Sequence, residues 1–242
     1  MSEPELVTRL FTKFETENSN IESNLNSIPR SFNFAMIVKN IPTPVQHKGG
    51  LDFVIITYID LPEKNVLKAG LFEAKKLIGP PTSHMSRSEY IRLTKSGGQL
   101  ETLNSFPERA GYLFFFMSRD WKQFQNSSMR YLTQFPYIRV MPSLDFSYFK
   151  NPPLLKDISS SCRSFQDFLI NGILGTPEGS PDVIELGEGR TVEEQLDNSK
   201  IVTSKKLVYD LSNYPRMYFI FSDPEREEQI RINHVNERSH PH

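Results

Sequence analysis

The chain reads as an α/β protein with a central mixed β-sheet flanked by helices. An amphipathic segment opens it, with Leu6, Leu10 and Phe14, and Val7 and Phe11, at helical spacing. Segments of strand character follow at 49–56, 70–76 and 110–118. Between the last two lies a helix-start pattern, Ser86-Arg87-Ser88-Glu89, a capping box. Helix, strands, helix, strand is the order of a sheet covered by helices.

Each element has its own cause. Residues 4–17 form the first helix, with Pro4 in the first turn, where a missing N–H costs nothing. Residues 18–29 are polar and read as a helix end and loop. Residues 32–38 read as a strand that breaks at Ile41-Pro42-Thr43-Pro44. Gly49-Gly50 permits a tight entry into the strand starting at Leu51-Asp52. The polar stretch 60–65 turns the chain back into a second strand through Gly70-Leu71-Phe72-Glu73-Ala74-Lys75-Lys76. Residues 79–84 are a loop, and a helix begins near Arg87. Gly97-Gly98 splits it before Gln99 resumes a helix up to Pro107. Residues 137–141 are a further strand. In the last third, 164–174 reads as a helix, 176–181 as a Gly/Pro loop and 192–197 as a short helix. Residues 206–211 and 217–221 read as strands and 239–242 as a loose tail. No linker demands a second domain. The reading is one domain over 1–242, with a core of about 1–145 and a C-terminal α+β elaboration of about 146–242.

Composition narrows the function. A hydrophobic fraction of 38% with 18 Phe indicates a packed core with large aromatic contacts. The single cysteine, Cys162, excludes an intrachain disulfide and a zinc cluster built on cysteines. No apolar run has membrane-spanning length and the N-terminus lacks a secretory pattern, so a cytoplasmic, non-membrane protein is expected. No Gly-rich phosphate loop with a following Lys is present, so no nucleotide cofactor is expected. Net charge is −1, so any nucleic-acid binder on this balance must concentrate its cations. Residues 75–95 do so, with Lys75, Lys76, Arg87, Arg92 and Lys95 against Glu89. The acidic stretch 178–197 reads as a solvated face.

Three charged residues stand in the apolar strands: Asp52, Glu73 and Lys75. Alternation puts Glu73 and Lys75 on one face with Leu71. Positions 52 and 73 are symmetric about Pro62-Glu63, so a hairpin turning there sets Asp52 opposite Glu73, about 5 Å apart at the backbone. A one-residue slip would undo this. Buried charges need compensation. Two carboxylates holding a divalent cation, beside an ammonium, supply it, and carboxylate oxygen suits Mg²⁺ or Mn²⁺. The competing reading is a pair of solvated charges on an edge strand.

An Asp followed by Glu-x-Lys on the next strand resembles the PD-(D/E)XK nuclease superfamily, over roughly residues 1–145. Asp52 stands as the Asp and Glu73-Ala74-Lys75 as the Glu-x-Lys; Leu51 stands where the nominal pattern has Pro. Glu5 falls on the N-terminal helix, where such nucleases often carry an acid, and Gln99 on the later helix, where they often carry a Gln. The resemblance implies a restriction-endonuclease-like core and Mg²⁺-dependent hydrolysis of phosphodiester bonds in DNA, in restriction, repair, mobile-element or antiviral defence roles. It implies Asp52 and Glu73 as metal ligands, and Lys75 as the group that holds or deprotonates the attacking water. Gln99 supports Lys75 or contacts phosphate, and equally suits a polar helix face. Glu5 orients Lys75, reaches a metal water or binds a second metal, and equally suits a first-turn acid favoured by the helix dipole. Lys76, Arg87, Arg92 and Lys95 are candidate DNA contacts, although Lys76 points off the Glu73 face. Cutting two strands implies a homodimer, with the apolar C-terminal strands as its contact, or a partner in a defence complex. His47, His84, His240 and His242 lack metal spacing.

Two other classes remain at this point. One is a catalytically silent nuclease-fold protein that binds nucleic acid or a protein; an intact Asp, Glu and Lys set argues against it. The other is a metal-dependent α/β enzyme acting on a small phosphate ester, which requires a closed pocket and no duplex affinity.

Overall fold

A computed structural model describes residues 2–26, 32–39, 51–62, 64–96, 98–104, 110–124, 137–165, 168, 184–202 and 208–224. The expected Gly49-Gly50 turn, His47, the 176–181 loop and the tail with His240 and His242 lie outside these residues.

The helices are α1 (Glu3–Asn26), α2 (Arg87–Thr94), α3 (Gln99–Leu103), α4 (Ser143–Phe146), α5 (Leu155–Ser161) and α6 (Val192–Asp197). The strands are β1 (Asn33–Lys39), β2 (Phe53–Leu61), β3 (Lys64–Leu77), β4 (Ala110–Phe116), β5 (Tyr137–Pro142), β6 (Arg163–Ser164), β7 (Ile184–Glu185), β8 (Lys200–Val202), β9 (Val208–Asp210) and β10 (Arg216–Ser222). Seven strands form a mixed sheet in the order β1-β10-β2-β3-β4-β5-β6. β10 runs parallel to β2 and β4 parallel to β3, and the other pairs are antiparallel. A second, three-stranded antiparallel sheet, β7-β8-β9, completes the expected C-terminal α+β part.

Strand alternation sorts the apolar residues onto two faces. One face carries Phe53, Ile55, Phe72, Ala74, Leu113, Phe115 and Met217, and α1 covers it with Leu6, Val7, Leu10 and Phe11. Phe11 meets Phe53 edge-on at 5.5 Å, and Phe53 stacks on Phe72 at 4.7 Å. The other face carries Val54, Ile56, Leu71, Leu77, Tyr112, Phe114 and Tyr218. It is covered by Leu93 of α2, Leu100 and Leu103 of α3, Trp121, and Phe146 of α4. Each fully buried Phe or Leu contributes roughly 1.5–3 kcal/mol, so the two layers of aromatic and aliphatic contacts hold the sheet rigid.

The β2–β3 hairpin fixes the register that matters. Phe53 pairs with Phe72 and Leu61 with Lys64, the symmetry expected about Pro62-Glu63. Asp52 lies one residue ahead of β2, and its backbone N–H donates to the Phe72 carbonyl at 2.8 Å. The N-cap half of the pattern at α2 also forms: the Ser86 hydroxyl accepts from the Glu89 N–H at 3.2 Å, while the Glu89 carboxylate accepts from Arg92.

Several elements differ from expectation. α1 runs on to Asn26, past residue 17, and Asn18 is held by donating to the Met36 carbonyl at 2.6 Å. Ser164 is in strand β6, drawn onto β5 opposite Arg139, and most of the helix expected over 164–174 lies outside the described residues. The apolar run 217–221 lies inside the sheet, between β1 and β2, and is no dimer face. The sheet core therefore does not end near residue 145, because β10 is one of its inner strands. Buried Arg216 ties β10 to α6, donating to Asp197 Oδ1 at 3.0 and 2.7 Å. Among the described residues no helix is long and apolar enough to cross a membrane.

A chain ended after residue 145 loses the strand on which both β1 and β2 pair. We expect it to unfold without a cooperative urea transition, while the full chain gives a single sigmoidal one; a cooperative transition in the short chain would show that the sheet closes without β10.

Candidate active site

The site lies where β3 runs past the start of β2. Glu73 and Lys75 sit two residues apart on β3, and so share the face that α2 and α3 cover. Both are buried, Glu73 3% and Lys75 1% exposed, and so incur a desolvation cost that partners must offset. Lys75 Nζ lies 2.5 Å from Glu73 Oε1. The Gln99 side-chain amide, on the first turn of α3, donates to the same Oε1. Asp52 is held by the backbone: the Ala74 N–H donates to its Oδ2 at 2.7 Å. The structure therefore brings Asp52, Glu73, Lys75 and Gln99 to one place.

The acid from α1 is Glu3 rather than Glu5. Glu3 Oε1 accepts from the Lys76 N–H at 3.0 Å, and Oε2 lies 3.6 Å from Lys75 Nζ and 3.8 Å from Arg92. Glu5 turns back on its own helix start. Its carboxylate accepts from the backbone N–H and the hydroxyl of Ser2, while its own N–H reaches the Ser2 hydroxyl at 3.5 Å. That is a reciprocal cap, and the Ser2 backbone bond lowers the Glu5 pKa. The signal was present as Ser2-Glu3-Pro4-Glu5: the capping pattern occupies Glu5 and leaves Glu3 to face the sheet.

The basic residues divide. Arg92, half exposed on α2, pairs with Glu89 at 2.7 Å and leans towards Glu3. Its charge also acts on Asp52. Arg87 and Lys95 are exposed on the same side of α2 as Ile91, one and two turns apart. Lys76 is half buried on the opposite face of β3 from Glu73, as alternation requires. His84 lies in the loop after β3, where its Nδ1 sits 3.0 Å from the Pro152 carbonyl.

Electrostatics mark the pair of acids. Burial pushes the Glu73 carboxyl up to about 8, the Asp52 charge adds to the rise, and Lys75 opposes it. Burial also raises Asp52, against Lys75 and the Ala74 N–H. Tyr112, next to Glu73 on β4, has its ionisation suppressed by burial first and by Glu73 second. Among the described residues no group of three or more His, Cys, Asp or Glu is gathered to hold a metal ion. The donor set is the two carboxylates. Each keeps one oxygen, Asp52 Oδ1 and Glu73 Oε2, with no hydrogen bond among the described residues. Two desolvated, mutually repelling carboxylates are what a hard divalent cation relieves, and Mg²⁺ needs only one or two with water completing the shell. The residues fit Mg²⁺ or Mn²⁺.

The raised Glu73 has a measurable sign. Between its ordinary value of 4.5 and about 8, the native protein keeps a proton that the unfolded chain releases. Without divalent cation, this carboxyl makes native stability fall as pH rises through that window, levelling above it. Glu73→Gln is expected to flatten the slope, and Mg²⁺ to reduce it in the wild type. Urea midpoints from pH 5 to 8.5 check this, and equal slopes in the two proteins would refute the assignment. Compared with family models, curated proteins and solved structures, the chain matches none.

Proposed function

We propose that the chain is a divalent-cation-dependent nuclease that hydrolyses phosphodiester bonds in DNA. The observation that carries the reading is the 52/73 register, which puts a half-buried carboxylate, a buried carboxylate and a buried ammonium at one point of the sheet. The order Asp, then Glu-x-Lys on the neighbouring strand, and its resemblance to PD-(D/E)XK nucleases support it, with the restriction, repair, mobile-element and defence settings that go with them.

In this reading Asp52 and Glu73 hold Mg²⁺ or Mn²⁺. The cation supplies hydroxide near neutral pH and offsets charge on the phosphate. The chain supplies the rest. The Ala74 N–H fixes the Asp52 carboxylate. Gln99 fixes Glu73 from above. Lys75 orients the attacking water and donates to the phosphoryl oxygens as charge builds there. Glu3 positions Lys75 from the far side and is not itself at the reacting atoms. Arg87, Arg92 and Lys95 form a cationic rim on α2 for the DNA backbone, in keeping with a chain whose overall charge attracts no polyanion. Cutting both strands of a duplex requires two such sites, hence a homodimer or successive nicks.

The test is cleavage of plasmid and linear DNA with Mg²⁺, Mn²⁺ or EDTA. Glu73→Ala and Lys75→Ala are each expected to lower the cation-dependent rate by at least about 10²-fold. Binding of DNA or a protein without any cutting, unchanged in both variants, would replace the enzyme with a silent binding protein. Glu3→Gln is expected to reduce the rate, whereas Glu5→Gln, at the exposed start of α1, is expected to leave turnover per folded molecule alone.

A further inference from the structure

Two polar atoms beside Glu73 are buried with no partner among the described residues: the Tyr112 hydroxyl and the Gln99 amide oxygen. Tyr112 is fully buried, on β4, in direct register with Glu73 on β3. Side chains stand roughly perpendicular to a sheet, so a phenol beside a glutamate carries its hydroxyl past the carboxylate, towards α2 and α3. Gln99 comes down from α3 onto the same carboxylate. The ring of Tyr112 is fixed between Phe114 at 5.6 Å and Phe146 at 5.1 Å, so the hydroxyl cannot swing to another partner without breaking that packing. Exchanging oxygen and nitrogen of the Gln99 amide would set its oxygen against the Glu73 carboxylate, so the contact favours the orientation with nitrogen on Glu73 and the oxygen unpartnered.

An unpaired buried hydroxyl or amide oxygen costs about 1–3 kcal/mol. Phe at position 112 would keep the packing against Phe114 and Phe146 without that cost. Both atoms belong to residues that adjoin Glu73, one in strand register with it and one bonded to it, so a single partner at this carboxylate would serve both. That partner must donate hydrogen bonds, because an amide oxygen only accepts and a phenol oxygen can accept. Water in the first shell of a cation is such a group: its lone pair is directed at the ion and both its protons are available.

We propose that Tyr112 and Gln99 are positioning residues that seat a hydration water of the divalent cation held by Asp52 and Glu73. The phenol and amide oxygens each take one of its protons. Tyr112 thereby joins the site as a residue no sequence pattern marks. This rests on the divalent-cation reading of the same site.

The experiment is Mg²⁺ and Mn²⁺ binding to the full chain by calorimetry at pH 8, wild type beside Tyr112→Phe. The variant loses one oxygen and keeps the ring packing, so it folds. Its cation-free urea midpoint is expected to equal or exceed that of the wild type. Its dissociation constants for both ions are expected to rise about 10- to 100-fold, the usual cost of removing an outer-shell partner. Wild-type binding with the variant equally tight overturns the water seat and leaves the metal reading standing. No binding of either ion by the wild type overturns both. A variant less stable than the wild type without cation shows that the hydroxyl already has a partner in the protein, and overturns the seat as well.

Discussion

The pairing of Phe53 with Phe72 is the constraint on which the rest depends. A strand's side chains have period two, so a slip of one residue would move Glu73 and Lys75 to the α1 face, among Leu6, Leu10 and Phe11, with no counter-group. The Phe53–Phe72 stack and the Phe11 ring against Phe53 make the slip expensive. Aromatic packing on the face away from the site thus sets the electrostatics of the other. The same register leaves Asp52 just outside the strand, where the Ala74 N–H, free of a β2 partner, turns to its carboxylate.

Around this point the chain accepts charge in a dry setting and compensates it unevenly. Lys75 has two acids, Glu73 and Glu3, at 2.5 and 3.6 Å. Glu73 has an ammonium and an amide on one oxygen and nothing among the described residues on the other. Well-packed apolar residues of similar volume would serve stability at least as well as such a cluster. The side chains are therefore costly to stability unless a ligand brings positive charge, which is how sites kept for chemistry differ from those kept for folding.

The parts legible in sequence were those set by local rules. Period-two alternation, the polar turn at 60–65 and the capping box at Ser86 each gave the right element, and the first two set Asp52 beside Glu73 and Lys75; Gln99 was marked only by the family resemblance. The parts that escaped are non-local. Nothing in Met217-Tyr218-Phe219-Ile220-Phe221 says that it will enter the sheet between β1 and β2, because that depends on two edges made 160 or more residues earlier. Glu3 was hidden by a competition between two acids for one cap, settled by a hydrogen bond to Ser2. Tyr112 was hidden because a tyrosine in an apolar strand looks like packing, and only the missing partner of its hydroxyl sets it apart.

The place of β10 also has a meaning in time. It is the last strand of the large sheet to be made, and it inserts next to β2, among the first. During synthesis β2 and β3 can close as a hairpin while the outer edge of β2 stays bare. The Arg216 clamp and the Pro215 carbonyl, which accepts from the Val54 N–H at 3.0 Å, reach the base of the Asp52 strand only once the chain has passed residue 216. A nascent chain therefore holds its acids and lysine in an unfinished frame until β10 has been made and has paired with β2. The late strand acts as a topological delay, at the cost of the slow folding that long-range pairing brings.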